Sequence, residues 1–169
     1  LVSSSAASDV YKRQAWSITK ESPKYDSKDV IIPPYLVDTP VTREDLTGYY
    51  HEVSRFDYYI GLVTAELKKQ GVLENTMIVV AADNGRPFPR CKSRMYDSGI
   101  KTPWVVHFPE VIKSPSATQS LISVIDLSAT CLELAGIKSP ECVQGRSFLP
   151  ILRKPETRTR EMVLSLIHI

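Results

Sequence analysis

The residues best suited to chemistry lie in one long stretch without regular patterning, residues 82–101 (ADNGRPFPRCKSRMYDSGIK). Asp83 and Asn84 offer a carboxylate and an amide oxygen, which are ligands that hard cations such as Ca²⁺ and Mg²⁺ prefer. Asn-Gly is also the strongest short signal for a hairpin turn, so the tripeptide alone favours a turn. A hairpin needs a strand directly afterwards, and residues 86–89 (RPFP) form a poor one. Both interpretations therefore stay open at the level of the tripeptide.

Basic side chains follow this pair closely, at Arg86, Arg90, Lys92 and Arg94. Such a cluster is usually a solvated surface. In a loop that begins with two candidate cation ligands, it is also suited to an anionic substrate, with lysine as a compact charge and arginine as a planar fork for oxyanions.

A helix is predicted before the loop. Thr42, with Asp45 three positions on, suggests its N-cap, and Gly71 after Lys68-Lys69 suggests its end. Apolar residues between them step by three and four, namely Leu46, Tyr49, Val53, Phe56, Ile60, Val63 and Leu67. The regularity also fits a coiled coil, but the stripe stops after about three heptads and runs into a strand. A helix packed on a sheet is therefore expected.

Two short apolar runs flank the loop and predict strands, residues 77–82 (MIVVAA) and 104–108 (WVVHF). A second helix is expected over residues 120–135, with Leu121, Ile125, Leu132 and Ala135 facing inward and Gly136 closing it. These elements predict an α/β fold with a mostly parallel sheet flanked by helices. The long loop would then begin at the carboxyl end of a buried strand, where such sheets bind ligands.

Composition sets the outer limits. A net charge of +2 over 169 residues gives no electrostatic footprint for nucleic acid, and no apolar run approaches the roughly 20 residues of a membrane span. The three cysteines, Cys91, Cys131 and Cys142, show neither CxxC nor zinc spacing. An odd number leaves at least one thiol free within the chain, and Cys131 is expected to be a buried thiol.

Both ends are expected to be non-native. Residues 1–14 (LVSSSAASDVYKRQ) and 164–169 (LSLIHI) resemble translated sequencing-adapter read-through at the edges of metagenomic gene predictions. Residues 1–14 also lack the basic-then-apolar layout of a signal peptide. Residues 15–163 are therefore interpreted as one partial domain.

Four segments, taken in order, form a more specific pattern than any one of them. They are residues 71–76 (GVLENT), 76–109 (strand, Asp-Asn-Gly, Lys92, Tyr-Asp-Ser-Gly, strand), 123–136 (SVIDLSATCLELAG) and 145–150 (GRSFLP). Together they resemble the C-terminal part of the catalytic domain of type I sulfatases, over residues 34–152. The Asp-Asn-Gly-x-Pro-Phe-Pro run is most similar to heparan N-sulfatase (sulfamidase) and its bacterial relatives.

This resemblance implies an incomplete alkaline-phosphatase-like domain and a Ca²⁺ or Mg²⁺ ion with Asp83 and Asn84 among its ligands. It implies that Lys92 is catalytic and contacts the sulfate group, and Arg86 is kept as a further substrate contact. The implied substrate is a sulfated small molecule or glycan, hydrolysed as a sulfate ester or sulfamate by a formylglycine nucleophile, in the periplasm or outside the cell.

The chain departs from the family pattern at several points. Cys91 replaces the glycine before the lysine, and Tyr96-Asp97-Ser98-Gly99 replaces Tyr-Glu-Gly-Gly. The Cys/Ser-x-Pro-x-Arg motif, which carries the formylglycine, does not occur in the chain, and residues 91–94 (CKSR) are no substitute. The formylglycine is therefore expected in an N-terminal part, and the chain alone is expected to be inactive.

Two rivals remain. Phosphatases and phosphodiesterases of the same superfamily tend to use two metals, and an Asp-His pair at residues 83–84 would have favoured them. A degenerate, non-catalytic domain that binds sulfated glycans is the alternative outside enzymes. The other polar residues considered, His51, His107, Asp57 and Asp126, are expected to be structural, and residues 153–160 to be solvated surface.

Overall fold

The computed structural model describes residues 23–164, and the chain divides into two compact units after Leu73. The terminal segments interpreted as non-native lie outside the described residues, apart from Leu164. The elements are α1 (Pro40–Lys69), a 3₁₀ turn (Leu73–Asn75), β1 (Ile78–Ala81), α2 (Asp97–Ile100), β2 (Trp104–His107), α3 (Asp126–Leu134) and α4 (Leu149–Arg153).

Helix α1 begins earlier than the sequence predicted. Thr39 is its N-cap, and its hydroxyl oxygen accepts a hydrogen bond from the Thr42 backbone N–H at 3.1 Å. Pro40 occupies the first turn, where its missing N–H costs nothing. The predicted N-cap at Thr42 was wrong because this residue is the donor of the capping bond. The predicted end is confirmed, since Gly71 has a φ of 70° in the left-handed C-cap conformation.

The apolar stripe of α1 is only partly buried. Leu46 and His51 are buried, whereas Val53, Phe56 and Val63 are 49%, 45% and 57% exposed. Within the described part of the first unit, residues 23–73, there is no strand. The expected packing of this stripe on a sheet is therefore not found in that unit.

The segment before α1 is fastened to the helix by polar contacts. The Arg43 guanidinium donates to the carbonyl oxygens of Ser27 and Lys28, each at 3.2 Å, and to the Asp38 carboxylate at 2.6 Å. The Tyr25 backbone N–H donates to Nε2 of His51 at 3.1 Å. His51 thus has the structural role expected of it.

Strands β1 and β2 fall where the sequence predicted them, but they pair antiparallel, with Ile78 opposite His107 and Ala81 opposite Trp104. The expected parallel sheet was wrong for these two strands. A continuous apolar run indicates a strand without encoding its direction, and burial on both faces is not found either, because Val105 is 60% exposed. The α/β class itself is confirmed.

The core of the second unit lies around Phe148, which is fully buried and packs edge-to-face on Trp104 at 5.7 Å between ring centroids. Thr130 of α3 accepts a hydrogen bond from the Phe148 N–H at 3.0 Å. Helix α3 begins at Asp126 rather than at residue 120 as predicted. Of the four residues predicted to face inward, Leu121 and Ile125 are 43% and 48% exposed, Ala135 is also exposed and Leu132 is half-buried.

The carboxylate of Asp126 explains this late start. It accepts hydrogen bonds from the backbone N–H groups of Ser123 and Arg146, each at 2.8 Å, and it pairs with Arg160. The bond to Ser123 spans three residues, the spacing of the acidic contact in a capping box, and it closes a turn directly before the helix. The prediction that residues 153–160 are all solvated was wrong for Arg160, whose side chain is only 12% exposed.

No helix in the described part of the chain is long and apolar enough to span a membrane.

Candidate active-site loop

The long loop predicted to carry the chemistry connects the antiparallel strands β1 and β2. Asp83 and Asn84 follow β1 directly, so both side chains lie at its carboxyl end, as expected. The loop stays irregular until the four residues of α2, which precede β2. No strand directly follows Asn84-Gly85, so the tight hairpin that Asn-Gly alone suggests is not formed.

Two glycines allow the backbones of the two halves of this loop to approach each other closely where they cross. The Gly85 N–H donates to the Gly99 carbonyl oxygen at 3.0 Å. A Cβ on Gly85 would overlap the Ser98 carbonyl oxygen and lie 2.7 Å from the Gly99 Cα, and one on Gly99 would overlap the carbonyl oxygens of Arg94 and Cys91. Gly99 is the last residue of the Tyr-Asp-Ser-Gly segment that replaces Tyr-Glu-Gly-Gly, so this segment retains the glycine that the close contact requires.

The two candidate cation ligands differ in exposure: the Asp83 side chain is exposed and the Asn84 side chain is half-buried. The Asn84 amide nitrogen donates to the Gly85 carbonyl oxygen at 2.7 Å, which fixes the orientation of the amide. Two oxygen donors suit a hard cation, but Ca²⁺ takes six to eight. Among residues 23–164 no three His, Cys, Asp or Glu side chains gather into a metal site. The pair therefore fits part of such a site.

Lys92 is tied back to the start of the loop through the backbone. Its N–H donates to the Arg86 carbonyl oxygen at 3.1 Å, and the Phe88 N–H donates to the same oxygen at 2.9 Å. Arg86 follows Gly85, so this bond folds the chain that bears Lys92 onto the segment that bears Asp83 and Asn84. Both Arg86 and Lys92 are half-buried.

Lys92 also lines a cleft of about 590 Å³. The residues that line it are Pro89, Arg90, Lys92, Ser93, Arg94 and Tyr96. The Arg90 guanidinium lies 4.6 Å from the centroid of the Tyr96 ring, a cation–π contact. Arg86, which was expected to contact substrate, is not among the lining residues.

The turn that forms this cleft contains two non-glycine residues in the left-handed region, Arg90 with a φ of 65° and Ser93 with a φ of 63°. The Ser98 hydroxyl donates to the Arg90 carbonyl oxygen at 2.8 Å. Cys91 between them is fully buried, and its N–H donates to the Phe88 carbonyl oxygen at 3.1 Å. Cys91 in place of the family's glycine thus fills an interior position of the turn.

The sequence analysis did not predict that Arg90 and Arg94 line the same cleft as Lys92. It recognised the basic cluster but selected Arg86 as the further substrate contact. The alternate spacing of residues 90, 92 and 94 was a signal, but side-chain direction in an irregular loop cannot be derived from spacing alone.

Comparisons with a family model and with individual known proteins indicate the same family. A family model described as Sulfatase matches residues 6–137. The chain is 39% identical over 131 residues to an ulvan-active sulfatase of Formosa agariphila, covering 76% of this chain and 22% of that protein. It is 36% identical over 138 residues to the N-sulphoglucosamine sulphohydrolase of Homo sapiens, covering 76% and 28%. The chain thus spans about a quarter of the length of these relatives.

Solved structures agree in fold. One, a complex with its substrate D-glucosamine-2-N,6-O-disulfate, aligns with a TM-score of 0.59 and 26% identity over 71% of this chain and 26% of that one. A phosphonate monoester hydrolase from Silicibacter pomeroyi aligns with a TM-score of 0.62 and 29% identity over 76% of this chain and 26% of that one. Both likenesses are consistent with part of an alkaline-phosphatase-like domain.

Proposed function

The chain belongs to the sulfatase family, and we propose that the whole protein hydrolyses sulfate esters or sulfamates of sulfated glycans. In this proposal Asp83 and Asn84 hold a divalent cation, Ca²⁺ or Mg²⁺, and Lys92 contacts the sulfate oxygens. Similarity to the human N-sulphoglucosamine sulphohydrolase supports a sulfated amino sugar as the substrate.

The observation that carries the proposal is the hydrogen bond from the Lys92 N–H to the Arg86 carbonyl oxygen. It joins the backbone of the cationic residue to the segment that bears the two oxygen ligands. A sulfate group held between a cation and a lysine needs a fixed distance between the two, and the Gly85–Gly99 bond fixes the other side of the same loop.

Each residue has a definite task. Asp83 and Asn84 supply oxygen ligands, and the bond from Asn84 to the Gly85 carbonyl keeps the amide from rotating. A cation bound there would neutralise charge on the sulfuryl group. The Lys92 ammonium adds hydrogen-bond donors to the same oxygens, where charge develops as the bond to sulfur breaks. Such preorganised donors are worth most when the cleft excludes water.

The proposed nucleophile is not assigned to any residue of this chain, because the Cys/Ser-x-Pro-x-Arg motif does not occur in it. We assign it, as a formylglycine, to a further part of the whole protein, which would also supply the remaining cation ligands. The chain by itself is therefore proposed to be inactive. The whole protein is proposed to work in the periplasm or outside the cell, which fractionation of the source cells would test.

The proposal is tested by sulfate release from glucosamine N-sulfate and from an aryl sulfate, with the whole protein. Lys92→Ala should lower kcat about 10²- to 10³-fold, the loss typical of removing one charge-stabilising donor. Lys138→Ala changes an exposed lysine outside the loop and should have no effect. Normal turnover by Lys92→Ala, or no turnover of any sulfated substrate by the unaltered protein, would contradict the proposal.

A second candidate is supported by the likeness to the phosphonate monoester hydrolase. Phosphonate monoesters and sulfate esters present similar tetrahedral oxyanions to the same donors. Parallel assays with an aryl phosphonate monoester and an aryl sulfate separate the two, because the true substrate should have the larger kcat/KM.

A further inference from the structure

The cleft beside Lys92 carries more positive charge than one sulfate group needs. Arg90, Lys92 and Arg94 line it together, and none of its six lining residues is acidic. A sulfate monoester or sulfamate has a single negative charge, which Lys92 and a cation at Asp83 already oppose. The two arginines are therefore unexplained by the proposed reaction.

The turn holds Arg90 in an unfavourable conformation. Arg90 and Ser93 both have left-handed φ angles, and residues other than glycine keep such angles only where the surroundings impose them. Here Ser98 holds the Arg90 carbonyl oxygen, and the Tyr96 ring holds its guanidinium at 4.6 Å. The guanidinium is thus positioned before a ligand arrives, which lowers the entropy lost on binding.

Arginine is suited to this position because its planar fork can donate two parallel hydrogen bonds to an oxyanion. Arg94, which is exposed, places a second fork in the same cleft. Both arginines line the same cleft as Lys92, so a ligand with two anionic groups can contact Lys92 with one group and an arginine with the other.

We propose that Arg90 and Arg94 form a second anion subsite beside Lys92, which binds another sulfate group of the same saccharide and so selects disulfated over monosulfated substrates. This inference rests on the proposed function. It adds substrate discrimination to that function and assigns the two arginines to binding rather than to the bond-breaking step.

The test compares glucosamine N-sulfate with glucosamine-2-N,6-O-disulfate as substrates of the whole protein. For the disulfate, Arg90→Gln and Arg94→Gln should each raise KM about tenfold, the usual effect of one charge-assisted hydrogen bond, with kcat changed less than about twofold. For the monosulfate, both constants should stay unchanged. Arg158→Gln, an exposed arginine outside the cleft, is the matched control.

Two results would overturn the subsite. One is an equal rise in KM for both saccharides, which would indicate a general electrostatic effect. The other is unaltered KM for the disulfate in Arg94→Gln. This second variant decides the matter if Arg90→Gln fails to fold, since Arg94 has an ordinary φ and an exposed side chain.

Failure of the proposed function is distinguishable from failure of the subsite. If the unaltered protein hydrolyses neither saccharide, calorimetric titration of the two saccharides replaces the assay. Tighter binding of the disulfate that is lost in Arg94→Gln would uphold the subsite without the reaction. Equal affinities for both saccharides would overturn it.

Discussion

At the scale of single residues, the candidate active-site loop depends on two positions that have no side chain. Gly85 and Gly99 have no side chain because the other half of the loop occupies that space. Asn84 reaches its orientation through a bond to the neighbouring backbone. The two glycines, which have no functional side chain, therefore determine how the loop positions Asp83, Asn84 and Lys92.

Gly85→Ala should destabilise the loop, because its methyl group would overlap the Ser98 carbonyl oxygen, a backbone atom that cannot move alone. We expect the free energy of unfolding to fall by about 1–3 kcal/mol, the usual cost of overpacking. Gly61→Ala is the matched control, since a Cβ there has open space within 4 Å. That change lies inside α1 and should stabilise by up to about 1 kcal/mol. Urea unfolding of both variants measures the difference, and equal midpoints would contradict the crossing.

Asp83→Asn should weaken Ca²⁺ binding to the whole protein, because an amide replaces one charged oxygen ligand with a neutral one. We expect the Kd to rise at least tenfold by calorimetric titration, with a parallel loss of sulfate release. Asp57→Asn changes an exposed aspartate of α1 and should leave the Kd unaltered. An unchanged Kd in Asp83→Asn would remove this residue from the cation site.

At the scale of elements, buried polar groups decide where the helices start and what they hold. Asp126 is 1% exposed at the start of α3, and its carboxylate collects two backbone N–H groups and the Arg160 guanidinium. Three separate segments thus converge on one side chain. A buried carboxylate is stable only while those partners remain.

Arg160→Ala should therefore be strongly destabilising, since it leaves the Asp126 charge buried without its ion-pair partner. We expect a loss of about 3–5 kcal/mol in the free energy of unfolding. Glu156→Ala breaks an ion pair with Lys154 whose side chains are 67% and 69% exposed, and it should cause no measurable change. A small effect of Arg160→Ala would show that the Asp126 cluster holds without its cation.

The segment before α1 should respond to acid through Asp38. The hydrogen bond from the Arg43 guanidinium is the main cause that holds the pKa of the Asp38 carboxyl below its usual range; partial desolvation opposes it, and the charge interaction with Arg43 adds a smaller lowering effect. Because the pKa is lower in the folded state, the contribution of this pair is present above the unfolded pKa and is lost as pH falls through the folded pKa. Carbon-detected NMR titration should show Asp38 titrating at higher pH in Arg43→Gln than in the unaltered protein. An identical titration in the two would contradict the pairing.

The sequence predicted the elements better than their ends or their pairing. The bounds of β1 and β2 followed from apolar runs bracketed by polar or proline residues, and Gly71 marked the end of α1 correctly. The start of α1 was missed although Thr39-Pro40 is an N-cap followed by proline, a recognised signal. The antiparallel pairing of the strands and the ion pair between Asp126 and Arg160 depend on contacts between distant segments, which local patterns do not encode.

For the candidate site, the sequence predicted the loop but not which of its side chains lie together. Donor chemistry located Asp83, Asn84 and the basic cluster in one loop. It did not show that Arg90 and Arg94, rather than Arg86, line the cleft with Lys92. The direction of the chain changes at Arg90 and Ser93, which have left-handed φ angles. Such angles are usual for glycine, so the sequence gives no sign of them at these residues.

At the scale of the whole molecule, the features that bear on association are exposed apolar side chains and exposed strand edges. Large apolar side chains remain exposed in both units, including Val53, Phe56 and Val63 in the first and Met95 and Val105 in the second. In the described part of the chain the only sheet has two strands, so both strands are edges with unpaired backbone groups.

The chain on its own should therefore self-associate. We expect size-exclusion chromatography with light scattering to show oligomers at micromolar concentration, and the dye ANS to fluoresce on binding. Val105→Lys places a charge on the exposed face of the edge strand β2 and should shift the distribution toward monomer, because charged edge residues oppose strand addition. Glu110→Gln lies beyond β2, changes the net charge by the same single positive unit and serves as the control for altered net charge. A monomer that binds no ANS would show instead that the exposed side chains of α1 and β2 are too dispersed to drive association.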